Sequence, residues 1–238
     1  MNIDDEFYKF QTNIRGKFTI NELKNLCENE YARINKILEY SVRKYGLRKS
    51  NLKAIDVPCG YGNILYTLNR MNIENVGYDL DVNQIELAKS LKLNAKRSDF
   101  FDLEINEKYD LITSFDFIEH LEKNNSLKVL LKFANMLNDK GLLIIRTPCG
   151  DSPLGLKDFS DDPTHKWIGS YNCIVSMLKI AGFSHFEVLE DWPYSKKYGT
   201  LRKIFRTITT PVFRLLLCAI GYGRPVCLSP SMIILATK

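Results

Sequence analysis

The stretch "AIDVPCGYGN", residues 54–63, constrains this chain more than any other. An apolar run ends in an acid, Asp56, and the chain then turns through Gly60 and Gly62. A strand that stops in a glycine turn and passes into a helix brings bare backbone up to a ligand. Neither common phosphate loop fits. Lys with Ser or Thr would follow the glycines of a P-loop, and here Asn63, Ile64 and Leu65 follow. A dinucleotide fingerprint requires a third glycine where Leu65 stands.

The same alternation runs on along the chain. "LKAIDV", "NVGYD", "YDLITS", "LLIIRT", "HFEVLE" and "SMIILATK" read as strands, and "NILYTLNRM", "VNQIELAKSL", "LKVLLKFANML" and "NCIVSMLKIAG" as helices. This order predicts an α/β fold, a mostly parallel sheet with helices on both faces. Before it, Leu23, Leu26, Ala32, Ile34, Ile37 and Leu38 recur at helical spacing, so residues 1–48 are expected to form a helical cap ahead of a domain at 49–238. With 238 residues, 45% of them hydrophobic, the chain can bury a substantial core.

Ligands of such sheets lie beyond the carboxyl ends of the strands. Asp56 ends the first strand and Asp79 the second. Two carboxylate oxygens at the second strand end suit two vicinal hydroxyls, which points to a ribose. Asp99, where a third strand should end, is placed to accept from an adenine amino group. Phe100 and Phe101 beside it either flank the adenine or enter the core.

Four stretches in order, "DVPCGYGN", "VGYDLD", "KRSDFFDL" and "YDLITSFDFIEHL", resemble the class I S-adenosylmethionine-dependent methyltransferases over residues 50–148. The resemblance implies a Rossmann-like, seven-stranded sheet, S-adenosylmethionine as cofactor and S-adenosylhomocysteine as product. It implies cofactor contacts from Asp56, Gly60, Gly62, Asp79, Leu80, Asp99 and Phe100. Pro58 stands where the family usually has glycine, and a proline there removes one N–H from the loop. Three flanking stretches, "FYKFQTNIRGKF", "RTPCGD" and "DDPTHKWIGSYNCIVSMLKIAGF", are similar to bacterial methyltransferases that modify sugars of lipopolysaccharide O-antigen and other surface glycans. That narrower resemblance implies a sugar hydroxyl, or a terminal group of a polysaccharide or its precursor, as acceptor. Two rivals stay open: a small phenolic or quinone-like acceptor, and a cofactor-binding scaffold of glycan assembly with little turnover.

Methyl transfer to oxygen is an in-line displacement that needs acceptor and methyl within about 3–3.5 Å. The hydroxyl must also lose a proton, so a base that titrates near neutrality is required. Of three histidines, His185 begins a strand and is expected to be surface or packing. His165 in "DPTHKW", beside Asp161 and Asp162, and His120 in "DFIEH" are the catalytic candidates. Asp116, Glu119 and His120, at i, i+3 and i+4, would share a helical face. They form a candidate divalent-metal set, as in some ubiquinone-pathway O-methyltransferases, against the alternative that Glu119 and His120 cap the helix and shape the acceptor pocket. No metal is the preferred expectation. Arg15 in "NIRGKF" is a candidate anion clamp on cofactor or acceptor, with Glu119 as a further acceptor contact.

Charge divides the chain. From Trp192 to Lys238 there is no Asp or Glu, and eight Lys or Arg occur. Those eight exceed the total net charge of +5, so the first 191 residues carry −3. In "TLRKIFRTITTPVFRLLLCAIGYG", within a basic amphipathic insertion at 194–224, Leu201, Ile204, Phe205 and Ile208 oppose Arg202, Lys203 and Arg206. Pro211 should kink or restart the helix. Residues 200–221 are therefore expected either to lie on the inner membrane surface or to pack as a lid or homodimer contact. Nucleic acid is not an expected partner, because the cations are interleaved with aliphatics and the body is acidic. The six cysteines have no C-x-x-C spacing, the N-terminus "MNIDDEFYKF" lacks an apolar run, and no eighteen uncharged apolar residues adjoin. The expected setting is the reducing cytoplasm.

Overall fold

The computed structural model describes residues 18–104, 107–192 and 199–238. Seven strands form one sheet: β1 (Lys53–Asp56), β2 (Glu74–Asp79), β3 (Ala95–Arg97), β4 (Tyr109–Phe115), β5 (Leu137–Pro148), β6 (His185–Asp191) and β7 (Ser231–Thr237). Their spatial order is β3-β2-β1-β4-β5-β7-β6. β7 is antiparallel to both neighbours, so β6 again runs in the direction of β5. The Rossmann-like arrangement expected of the chain is the one observed.

Consecutive strand residues face opposite sides of the sheet, and both sides are buried. Ala54, Leu111, Ile144 and Leu235 meet Ile34, Leu38 and Val42 of α1 (Ile20–Lys44) and Ile64 and Leu68 of α2 (Asn63–Arg70). On the other side Ile55, Ile112, Ile145 and Ile234 meet Val129 and Phe133 of α4 (Lys123–Met136) and Ile174 and Leu178 of α6 (Tyr171–Ile180). The N-terminal helix thus covers one face of the sheet and shares its core. Its start is set locally: Thr19 Oγ1 accepts from the Glu22 N–H, and the Glu22 carboxylate accepts from the Thr19 N–H.

Two elements differ from the sequence reading. β5 begins at Leu137, ahead of "LLIIRT", because Tyr109 pairs with Leu137 before the register shifts and Leu111 pairs with Leu142. The long helix α7 (Gly199–Ala219) continues through Pro211 without restarting. Thr207 and Pro211 are both exposed, so water can satisfy the carbonyl that proline leaves without a donor.

The topology gathers one working edge. Asp56, Asp79 and Phe115 close β1, β2 and β4, and at the same edge Pro148 and Asp191 both pair with Ser231, the first residue of β7. α3 (Val82–Ser90) follows β2, and α5 (Pro153–Ser160) follows β5. α7 leaves and returns at that edge, between β6 and β7.

Candidate active site

The loop after β1 is braced against the end of β2. Cys59 N–H donates to the Tyr78 carbonyl at 2.9 Å, and Gly60 N–H donates to Asp79 Oδ2 at 2.8 Å. Asp79 Oδ1 accepts from the Asp81 N–H at 2.9 Å. Burial raises the Asp79 carboxyl above its ordinary range, and these N–H donors pull it back. Gly60 and Gly62 have φ of +50° and +90°, where L side chains are disfavoured. Their surroundings differ. A Cβ on Gly60 would meet only Gln84 Oε1, at 3.9 Å, whereas one on Gly62 would lie 2.4 Å from Leu93 Cδ1. Gly60 faces space a ligand can use; Gly62 lets α2 close onto Leu93 and Ala88, which makes it a packing residue.

Asp56 is the electrostatic focus of the loop. It is 1% exposed, its Oδ1 accepts from Thr113 Oγ1 at 2.7 Å, and its buried Oδ2 has no partner among the described residues. Burial pushes its pKa up to about 8, Thr113 opposes the rise, and Asp79 adds to it. A buried acceptor oxygen without a donor fits a cationic or N–H-bearing ligand group. The amino-acid end of S-adenosylmethionine carries one, and the Asp79 carboxylate retains lone pairs for ribose hydroxyls.

Beyond β3, Asp99 Oδ1 accepts from the Phe101 N–H at 2.8 Å, which fixes the turn. Leu80 is 60% exposed at the end of β2 and offers an apolar surface there. Phe100 is 5% exposed, with its ring 5.0 Å from Phe133 and 6.3 Å edge-on from Phe117. Its side chain belongs to the core, so the aromatic surface expected at Phe100 falls instead to its half-exposed neighbour Phe101.

The acceptor side is built where β4 ends. A short 3-10 turn, Ile118–His120, is held by Trp167 Nε1 and Ser126 Oγ, which both donate to the Ile118 carbonyl. The loop Asp162–Lys166 lies against it, with the Lys166 N–H donating to the Glu119 carbonyl at 2.8 Å. The loop therefore joins residues more than forty positions apart. His120 and His165 have ring centres 4.6 Å apart, and one ligand atom from each of Glu119, His120 and His165 lies within 4.8 Å of the others.

Hydrogen bonding selects the tautomers. Thr164 Oγ1 donates to Asp162 Oδ1 at 2.7 Å, so toward His120 Nδ1, also at 2.7 Å, it must accept. His120 is therefore protonated at Nδ1, with its basic lone pair at Nε2. His165 Nδ1 faces the Phe159 carbonyl at 2.8 Å and is protonated for the same reason. Burial, helped by His165, holds the His120 pKa below 6.5. Glu119 is 1% exposed, with one oxygen on Thr147 Oγ1 and the other unpartnered among the described residues. Burial and then Asp116 drive its pKa well up, which favours its protonated form. In that form it is a donor, not an ionic contact.

The minority metal candidate, Asp116 with Glu119 and His120, is not assembled. Asp116 has φ of +52°, outside any helix, and its carboxylate is paired with Arg146. The helical face that would have joined it to Glu119 and His120 does not form. Arg146 also donates to Asp191 and Ser231 Oγ, and Arg33 of α1 pairs with the same Asp191. Arg15 lies outside the described residues. Sequence reasoning missed Thr164 and Arg146, and placed Asp162 beside His165 rather than behind His120. Asp-Pro-Thr is a signal for an Asx turn, observed as Thr164 N–H on Asp162 Oδ1, but nothing local assigns that turn to His120.

Residues 28–209 match the protein family described as a methyltransferase domain. A ubiquinone biosynthesis O-methyltransferase of Pelagibacter ubique is 27% identical over 139 residues, 56% of this chain and 57% of that protein. The chain spans about half the length of the curated relatives it matches. Among solved structures, a SAM-dependent methyltransferase from Archaeoglobus fulgidus aligns with a TM-score of 0.60 at 20% identity, over 86% of this chain and 94% of that one. Magnesium protoporphyrin IX methyltransferase from Synechocystis, solved with bound SAH, aligns with a TM-score of 0.59 at 15% identity, over 97% and 94% of the two chains. These structural likenesses concern the fold.

Proposed function

Since the chain belongs to the methyltransferase domain family, as a class I S-adenosylmethionine-dependent methyltransferase, we propose that it methylates a hydroxyl oxygen of a small phenolic or quinone-like acceptor. One arrangement carries this reading: His120, whose pKa burial lowers, with its Nδ1 proton engaged by Thr164 and one ligand atom each of His120, His165 and Glu119 within 4.8 Å of one another. The cofactor supplies a methyl group on a sulfonium, an electrophile that needs no metal or second activation. Asp56, Gly60 and Asp79 would hold it, with Leu80, Asp99 and Phe101 along the adenosine.

The residues around His120 then act on the acceptor. His120 Nε2 takes the hydroxyl proton as the oxygen becomes nucleophilic. Thr164 and Asp162 keep the ring from rotating and stabilise the imidazolium that forms. Glu119, whose burial favours the protonated form, can in that form donate to an acceptor oxygen. Proton-transfer matching supports a phenol over a sugar: a phenol titrates at about 10, while an alkyl hydroxyl lies nearer water. A histidine held below 6.5 can deprotonate the first far more readily. The O-methyltransferase relatives, named for ubiquinone biosynthesis, support the same class.

The glycan acceptor rested on flanking motifs that do not select a sugar. The Arg15 motif is outside the described residues, and "DPTH" is spent on orienting His120. Purified protein, methyl-labelled S-adenosylmethionine and two acceptor panels, one of catechols and hydroquinones and one of sugar nucleotides and lipid-linked sugars, decide the matter. Mass spectrometry should find methylated phenol. Label appearing on sugar alone would overturn the phenolic reading and restore the glycan one.

A further inference from the structure

Helix α7 has an apolar stripe that none of the described residues covers. Leu201, Phe205, Ile208, Val212 and Leu215 recur at alternating spacings of four and three, and each is between 54% and 71% exposed. That spacing places them along one side of the helix for four turns. The opposite side holds the helix to the protein. Arg206 lies 4.9 Å from the Trp192 ring centre, Arg214 pairs with Glu190 at 2.7 Å, and Leu217 is buried. So the exposed stripe is the outward face of a docked helix. An uncovered stripe of this length on a folded protein marks an interaction surface.

Charge identifies the partner. The chain past Trp192 holds no acid, and Lys203 and Arg224 are exposed. A second copy docking stripe to stripe would bring two such cationic segments together with no anion between them. An anionic lipid surface offers the opposite sign over a wide area and an apolar layer beneath it. Lys203, on the same helix, sits within one helix diameter, about 10 Å, of the stripe, comparable to the screening length at moderate salt. We propose that α7 lies in the interface of an anionic bilayer, with the stripe among the acyl chains and the cations at headgroup level. Because α7 leaves from Asp191 and returns at Ser231, membrane docking brings the edge that carries Asp79 and His120 to the lipid surface. An acceptor with a lipid tail then reaches the site without leaving the bilayer. No helix among the described residues is long and apolar enough to cross a membrane, so the contact is peripheral.

Lipid binding can be read without cofactor or acceptor, so its outcome is separate from that of the methyl-transfer assay. Full-length protein is sedimented with vesicles of phosphatidylcholine alone or mixed equally with phosphatidylglycerol. Binding should require the anionic lipid and fall steeply on raising salt to roughly 0.5 M, where screening removes the attraction. Lys203→Gln and Arg224→Gln should each weaken it about fivefold, the equivalent of about 1 kcal/mol per charge. Phe205→Ser with Ile208→Ser should abolish it and leave the thermal midpoint unchanged, since both side chains are already in water. Wild-type protein that ignores anionic vesicles would overturn the proposal. So would a serine variant that binds as well as wild type, or one that melts earlier because the stripe is covered. A wild-type dimer that the serine variant splits would reassign the stripe to a contact between copies.

Discussion

Replacing Asp56 with Asn should make the protein more stable and worse at its work. In the folded chain the Asp56 pKa rises from 3.8 to about 8, with burial as the largest cause. The unfolded chain releases the proton near 3.8, and the folded chain keeps it to about 8. Between those values the unfolded state therefore binds fewer protons, and stability falls as pH rises, by about 1.4 kcal/mol per unit. Over the whole window the loss is about 4–6 kcal/mol, and above pH 8 it is constant. Asparagine has nearly the same shape, can still accept from Thr113, and does not titrate. Subtracting the urea-unfolding stability of wild type from that of Asp56→Asn, at several pH values, cancels every other titrating group that the substitution leaves unchanged. The difference should climb in favour of Asp56→Asn from pH 4 to pH 8 and then level. Cofactor affinity, read by calorimetry, should fall by about 1.5–3 kcal/mol, the range for a hydrogen bond to a charged group. Parallel stability curves would falsify the assignment of Asp56 as a carboxyl held ready for a ligand at the expense of the empty fold. So would an unchanged affinity.

Four further outcomes follow from the same geometry. Asp79→Ala should cost about 1.5–3 kcal/mol of cofactor affinity and also loosen the loop, because the Gly60 and Asp81 N–H groups lose their acceptor; calorimetry and a thermal melt read the two parts separately. His120→Asn should lower kcat by about 10²–10⁴ with cofactor affinity kept, and wild-type kcat/KM should rise with pH through a value below 6.5, since His120 must be neutral to act. Thr164→Val, which removes the acceptor for the His120 Nδ1–H, should shift that acid limb, and a limb left in place would show the base lies elsewhere. Arg146→Met should destabilise the fold by about 3 kcal/mol, as urea unfolding can measure, because Asp116 and Asp191 lose the cation between them and only Arg33 remains on Asp191.

The local pattern of the chain was enough to determine its architecture. Period-two strands, period-3.6 helices and the glycine turn after Asp56 depend on neighbours a few residues away, and such signals are legible in order along a sequence. They located the cofactor edge and its acids, Asp56 and Asp79, because those residues end strands. They did not determine which side chains would meet. His120 and Thr164 are forty-four positions apart and touch only because the loop beyond β5 folds back over the turn after β4. The sheet order that sets β4 beside β5, and β7 between β5 and β6, also delivers Arg146 and Asp191 to one point and commits the Asp116 carboxylate to Arg146. Phe100 turned inward for a similar reason, since Phe117 and Phe133 offer it a core that no local rule announces. Backbone preference acts between near neighbours and can be read residue by residue. The identity of an acid's partner, and with it the proton it keeps or loses, is decided by burial and by residues that only the completed sheet brings within reach.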